Sequence, residues 1–296
     1  MSLYQNTNAM PKHADGTVLH LGVKAGEVAN RVVSVGSLDR ALLLAALLDN
    51  GVFAAYESSR GFTIFTGKMH GVPVSIIATG MGTPNMDFVV RETRAIVNGP
   101  MAIVRFGTCG GLREEVVPGS VVVSGTGSVS IVRDPDAFFD EQEEEKCYRV
   151  SRIMPASAPL STSLLKIMEG QLQELQSVPT VAASADRHKL GVYDGLNATA
   201  CSFYSSQGRI DSAFDDRNEK VVENLLAKYP DLHTLEMETF HLLDLAQRSR
   251  GSIVATAAVL VVANRKTAQV VAVDVLEAVE VFWGRAILTC LAQHEL

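Results

Sequence analysis

The chain has 296 residues, 47% of them apolar and 20% charged, with a formal net charge of −7 at pH 7. A chain of this size can bury one large core or two modest ones, and its acidic balance argues against a general nucleic-acid binder, which carries a basic face. No apolar run approaches the roughly 20 residues that a membrane span needs, and Met1 to Thr17 is polar, without the apolar core of a secretory signal, so a cytoplasmic protein is expected.

Strands and helices alternate along the chain. Arg31 to Gly36 reads as a strand with a glycine at its end, and a helix opens at Ser37 to Arg40 and runs through Leu48. Ser37 or Asp39 can cap that helix, and Gly51 lies where a C-terminal stop belongs. Phe62 to Phe65 and Val72 to Ala78 predict paired strands across the turn Lys68 to Gly71. Thr79 to Pro84 is a glycine-rich turn before a helix that runs through Ile96. Met101 to Val104 is an apolar strand that delivers Arg105 to a second such turn, Gly107 to Leu112. Val121 to Val123 is a further strand after the Pro118-Gly119 turn.

Asp134 to Lys146 carries seven acidic residues in thirteen and reads as a solvated loop. Leu164 to Leu175 predicts a helix, Thr180 to Ala185 a strand and Leu235 to Ala246 a helix. The apolar run Ile253 to Val262 follows, and Leu276 to Leu291 closes the chain as a helix. There is no internal repeat and no linker-like stretch. The expectation is a polar arm over residues 1–17 and one α/β domain over 18–296, an α/β/α sandwich. Cys109, Cys147, Cys201 and Cys290 lie far apart and form no CxxC pair, which points away from a zinc site or a disulfide framework. Asn197-Ala198-Thr199 fits a glycosylation sequon but lacks a secretion signal to accompany it.

Gly36, Gly80 and Gly107 all stand at predicted strand ends. Ligands of open α/β sheets bind at the carboxyl ends of strands, so the three turns can share one site. No GxGxxG opens a helix in a first βαβ unit and no GxxxxGK[ST] is present, which excludes the dinucleotide and P-loop fingerprints. Arg40 and Arg105 suit a tetrahedral oxyanion through bidentate contacts, the helix start beside Gly36 adds a favourable dipole, and Thr108 adds a hydroxyl. Phosphate is the anion this set suggests. The plain alternative is a pair of surface arginines matched to nearby carboxylates.

The elements Gly36-Ser37-Leu38-Asp39-Arg40, Arg105-Phe106-Gly107-Thr108 and Leu235-Glu236-Met237-Glu238-Thr239 together resemble the nucleoside phosphorylase family, in its uridine phosphorylase pattern, over about His20 to Arg265. The resemblance implies that family's fold, a single-domain sandwich around a central twisted mixed sheet. It implies cleavage of uridine by phosphate to uracil and ribose 1-phosphate, with inorganic phosphate as co-substrate and no organic cofactor. By the same likeness Gly36, Arg40, Arg105 and Thr108 hold phosphate. Arg60, from a neighbouring subunit, completes that cage, and His20 reaches across in the same way to the ribose 5′-hydroxyl. Glu238 takes the ribose 2′- and 3′-hydroxyls and Met237 packs on the sugar. Phe203 lies by the base, with Gly110 at the same end of the site.

Gln207 and Arg209 grip the base in this reading. A glutamine amide offers the donor and acceptor that match the uracil imide edge, and an arginine favours negative charge on the departing ring. Purine-cleaving relatives place an aspartate late in the chain, whereas this chain reads Val261-Val262-Ala263-Asn264-Arg265. Gly61 stands where bacterial relatives carry an acidic cation ligand, so that cation site is not expected. Glu57 is a candidate ligand for an interface cation of another kind, and the metal is otherwise unassigned. The segments 134–146 and 187–193 look longer than in bacterial relatives and point to a homodimer with shared sites, without nucleic acid or membrane as a partner. Two other classes remain at this point. A nucleosidase of the same fold would lack the phosphate arginines, and a non-catalytic nucleoside-binding protein would have lost Glu238 or Arg105.

Overall fold

The computed structural model describes residues 4, 6, 8–139, 146–184, 186, 187 and 189–296. In chain order the elements are β1 (Arg31–Val35), α1 (Leu38–Ala45), β2 (Phe53–Glu57), β3 (Thr63–Met69), β4 (Val72–Ala78), α2 (Thr83–Ile96), β5 (Met101–Gly111), β6 (Val121–Arg133) and β7 (Tyr148–Val150). There follow α3 (Ala158–Gln176), α4 (Pro179–Ala182), β8 (Val192–Ala200), α5 (Val221–Lys228), β9 (Leu232–Glu236), α6 (Thr239–Arg248), β10 (Ile253–Asn264) and α7 (Val273–Gln293). All the strands belong to one ten-stranded mixed sheet in the order β10-β6-β8-β9-β5-β1-β4-β3-β2, with β7 on β6. β5 also pairs with β10, so β5, β10, β6, β8 and β9 close on themselves while β1 to β4 extend as an open wing.

Period-2 alternation decides which face each strand residue serves. Ala102, Val104 and Phe106 of β5 join a core with α1, α3 and α7, built around the fully buried Trp283. Met101 and Ile103 join a second core with α2 and α6. Each Val, Leu or Ile buried in this way contributes about 1.5–3 kcal/mol. Arg105 continues the Met101–Ile103 register, so the pleat that buries those two residues also aims the arginine to the α6 side.

One edge of β5 is shared by two strands. β1 pairs with Ala102 to Phe106 and stops; β9 takes up the same path at Gly110 and Gly111. Gly107, Thr108 and Cys109 lie between these pairings, and a cavity lined by Thr108 and Cys109 opens there.

Several expectations change. Thr180 to Ala182 is helical, part of α4, because Pro179 starts a helical turn that β-branched Thr180 and Val181 do not prevent. The helix expected over Leu235 to Ala246 begins at Thr239. Leu235 and Glu236 belong to β9, where pairing with β8 and β5 overrides local helix propensity. The first helix ends at Ala45, short of Leu48. The expected sandwich around a mixed sheet is what the chain forms, with five of its strands also closing into a ring. The acidic-segment expectation falls partly on residues 140–145, and that for 187–193 partly on His188; both lie outside the described residues. Among the described residues, no helix is long and apolar enough to cross a membrane.

Candidate active site

The ends of β1, β4 and β5 converge as the glycine pattern suggested. A Cβ placed on Gly36 would stand 3.7 Å from Arg105 Nη2, 3.9 Å from Arg40 Nη1 and 4.0 Å from the Gly80 carbonyl. Both guanidinium groups thus crowd the floor of one cavity of about 450 Å³. Arg40 comes from the first turn of α1, whose N-cap Ser37 accepts a hydrogen bond from the Arg40 amide at 3.3 Å. Burial pulls the Arg40 guanidinium below its ordinary pKa; Glu280 opposes this, and Arg105 adds to it. Arg105 is 3% exposed and its Nε has no partner among the described residues. Thr108 lines the same cavity.

Glu238 faces these arginines. It is the N-cap residue of α6, and its Oε2 accepts from Arg105 Nη2 at 2.6 Å. Its Oε1 accepts from the Gly82 amide at 2.5 Å, at a residue whose φ of +92° suits glycine. Glu236, two residues earlier, has a different task. Its carboxylate accepts from Asn197 Nδ2 at 2.8 Å, Thr199 Oγ1 at 2.5 Å, and the amides of Glu238 and Thr239. Burial, and then the Glu238 charge, pushes the Glu236 carboxyl pKa up against the Thr199 hydrogen bond. Glu236 therefore closes the N-terminus of α6, and both glutamates line the cavity.

Met237, Phe203, Gln207, Arg209 and Gly110 line the same cavity. Gln207 is 4% exposed, in a short helical turn after β8. Arg209 lies over the Phe203 ring at 4.1 Å from its centroid and donates from Nε to the Phe203 carbonyl at 3.2 Å. Arg265, which the sequence pattern does not mark as a site residue, lines the cavity as well. Its Nη1 and Nη2 donate to the carbonyls of Gln207 and Gly208 at 3.0 and 3.3 Å, and its stem packs so that a Cβ on Gly110 would meet Cγ at 3.3 Å. Burial, then Arg209 nearby, lowers its pKa. Its position just past β10 was the signal: a charged residue at another strand end. Exposed Met81, on the Gly80–Gly82 turn, was missed as well.

His20 and Arg60 do not line this cavity. They share a separate surface patch, joined through Ser58, whose hydroxyl accepts from the Arg60 amide at 2.9 Å and donates to the His20 carbonyl. His20 stacks on Phe88 at 3.9 Å, and its Nδ1 lies 2.6 Å from Glu92 Oε1. Glu92 also accepts the backbone amides of His20 and Leu21. Glu57 lies exposed on β2.

The mixed sheet thus gathers Arg40, Arg105 and Glu238 at its strand ends, around one cavity. The chain belongs to the phosphorylase superfamily, whose family model matches residues 30–287. Among solved structures, one from a study of two uridine phosphorylases in the oomycete Phytophthora capsici superposes with a TM-score of 0.97. It is 68% identical and covers 99% of this chain and 100% of that one. A Trypanosoma brucei nucleoside phosphorylase, 23% identical, shares the fold with a TM-score of 0.75 over 97% of this chain and all of that one. The uridine phosphorylase of Thermococcus kodakarensis is 26% identical over 226 residues, 76% of this chain and 74% of that protein. A DeoD-type purine nucleoside phosphorylase of Geobacillus kaustophilus is 33% identical over 110 residues, which span 37% of this chain and 46% of that protein.

Proposed function

We propose that this chain cleaves uridine by phosphorolysis, giving uracil and ribose 1-phosphate. The observation that carries this reading is one cavity that holds Arg40 and Arg105 at one end, Glu238 in the middle, and Gln207 with Arg209 at the other. Arg40, Arg105, Thr108 and the Gly36 turn hold phosphate; Glu238 and Met237 hold ribose. As the bond from C1′ to the base nitrogen breaks, a phosphate oxygen bonds C1′ and the electron pair leaves with uracil. Glu238 favours the positive charge that builds on the sugar, and Arg209 the negative charge that builds on the ring. Fixed groups of this kind contribute about 3 kcal/mol each to a water-excluded transition state.

Two features weigh against the other readings. Both phosphate arginines are present and converge, which a hydrolase does not need. Asn264, at the stretch where purine-cleaving relatives carry aspartate, is spent on the chain itself. Its Nδ2 donates to the Arg113 and Val116 carbonyls, and its Oδ1 accepts the Lys266 and Thr267 amides. It is therefore not a proton donor to a purine.

Inorganic phosphate is the co-substrate, and the chemistry calls for no organic cofactor. A homodimer in which His20 and Arg60 serve the neighbour's cavity fits their shared patch, away from their own cavity. A cytoplasmic role in pyrimidine nucleoside salvage goes with this reading. The test is to follow uracil release from uridine with and without phosphate, alongside deoxyuridine, thymidine and inosine. Release that depends on phosphate and yields ribose 1-phosphate is expected. Release indifferent to phosphate, or a preference for inosine, overturns the proposal.

A further inference from the structure

Arg40 is held in place from the far end of the chain. Its Nε and Nη2 both donate to a single oxygen of Glu280, Oε1, at 2.8 and 2.6 Å. Both side chains are about nine-tenths buried. That leaves Nη1, the atom 3.9 Å from the Cβ position at Gly36, turned toward the anion end of the cavity.

The helices that carry the pair are locked together one turn further on. Gly284, four residues after Glu280, leaves room for Leu44, four residues after Arg40; a Cβ on Gly284 would stand 2.8 Å from Leu44 Cδ1. Residues four apart lie on one helix face, so the ion pair and the Leu44–Gly284 contact belong to one α1–α7 seam. Glu280 does not line the cavity. An arginine left free here would sample rotamers and face Arg105 without compensation; a carboxylate taking both donors on one side fixes the plane of the fork.

We infer that Glu280 is a positioning residue for phosphate, acting through Arg40 by fixing which guanidinium nitrogen faces the anion. The inference rests on the phosphorolytic reading of the cavity. It also distinguishes the two arginines. Arg105 is paired with Glu238, which has the sugar to hold, whereas the partner of Arg40 has no substrate to hold and serves only to orient.

The test compares Glu280→Gln and Glu280→Asp with the wild type, with phosphate and uridine varied separately and phosphate binding followed by calorimetry. Glu280→Gln is expected to raise the phosphate KM and Kd about tenfold, with kcat within about threefold and the uridine KM unchanged. Glu280→Asp, which keeps the charge, should recover part of the loss. In an Arg40→Met background the Glu280→Gln change should add nothing to the phosphate KM, because its route is already removed. Unchanged phosphate affinity in a folded Glu280→Gln variant overturns the inference, as does an equal effect with and without Arg40. If Glu280→Gln does not fold, unchanged phosphate affinity in Glu280→Asp overturns it instead. Phosphate binding to the wild type without uridine cleavage would instead count against the uridine reading, while calorimetry would still decide the role of Glu280.

Discussion

The two ends of the cavity are built from different material. The proposed phosphate end belongs to the sheet and to the helix start beside it: Arg105 sits on a β5 register position, Arg40 on the first turn of α1, and each is buried and matched to a carboxylate. The base end is an irregular segment after β8, where Phe203 is 45% exposed and Arg209 rests on its ring rather than on a carboxylate. Charge that must be in place before the reaction is carried by elements that cannot move without unpacking a core. The proposed base end is carried by a loop outside regular strands, in which Gln207 is buried, Phe203 is exposed, and Asn218 and Arg265 hold the backbone.

The contrast is broken most severely at Arg105. Arg105→Ala should lower kcat/KM by about 1,000-fold, since it removes phosphate contact and leaves Glu238 without its partner. It should also cost about 3–5 kcal/mol of stability, because Glu238 stays buried and uncompensated. Thermal and denaturant unfolding check the second number. Arg105→Met combined with Glu238→Met should regain much of that stability and none of the activity. An Arg105→Ala variant as stable as wild type would mean that the phosphate end is not part of the rigid frame.

The same division governs what the sequence revealed. The convergence of Gly36, Arg40 and Arg105 was legible because a strand, a glycine turn and an arginine report their geometry through period-2 alternation and strand-end position. β8 was not read, since Val192 to Ala200 mixes Asp194, Gly195 and Asn197 with small residues, and its burial comes from neighbours far away in sequence. Glu236 looked like a twin of Glu238 one residue removed. The structure separates them: Glu236 ends β9 and is held by Asn197 and Thr199, whereas Glu238 stands at the start of α6 and is held by Arg105 and the Gly82 amide. Glu280 left a faint signal, an acid between Val279 and Val281 on a helix face that also presents Trp283, but its partner lies 240 residues earlier.

At the base end, Arg209→Leu should reduce kcat/KM for uridine on the order of 100-fold through lost leaving-group stabilisation. Its stability should stay within about 1 kcal/mol of wild type, as for a partly exposed side chain outside the core. The pairing of a large kinetic loss with a small shift in Tm is what separates it from Arg105→Ala. A comparable loss of stability would erase the distinction between the two ends.

The His20–Arg60 patch extends the comparison beyond one subunit. Arg60→Ala and Arg105→Ala proteins, each weakly active alone, are expected to recover activity when mixed and allowed to exchange subunits. In a twofold dimer with random pairing, half the dimers are mixed and each has one intact cavity, so about a quarter of all sites should work. Rates measured before and after exchange check this. No recovery would mean that Arg60 serves its own cavity or none.

The smallest expected effect on catalysis is at Asn264. Asn264→Asp puts an aspartate into the stretch where purine-cleaving relatives carry one, yet inosine cleavage should not appear. The side chain points into the turn, between the carbonyls of Arg113 and Val116 and the amides of Lys266 and Thr267. An ionised aspartate can still accept the two amides but cannot donate to the two carbonyls, which should cost about 1–3 kcal/mol of stability. Because Arg265 is the next residue and holds the Gln207 and Gly208 carbonyls, that loss should appear as a higher uridine KM with kcat nearly unchanged. Inosine activity gained by this single change would show instead that the side chain at 264 can leave the turn and reach the cavity.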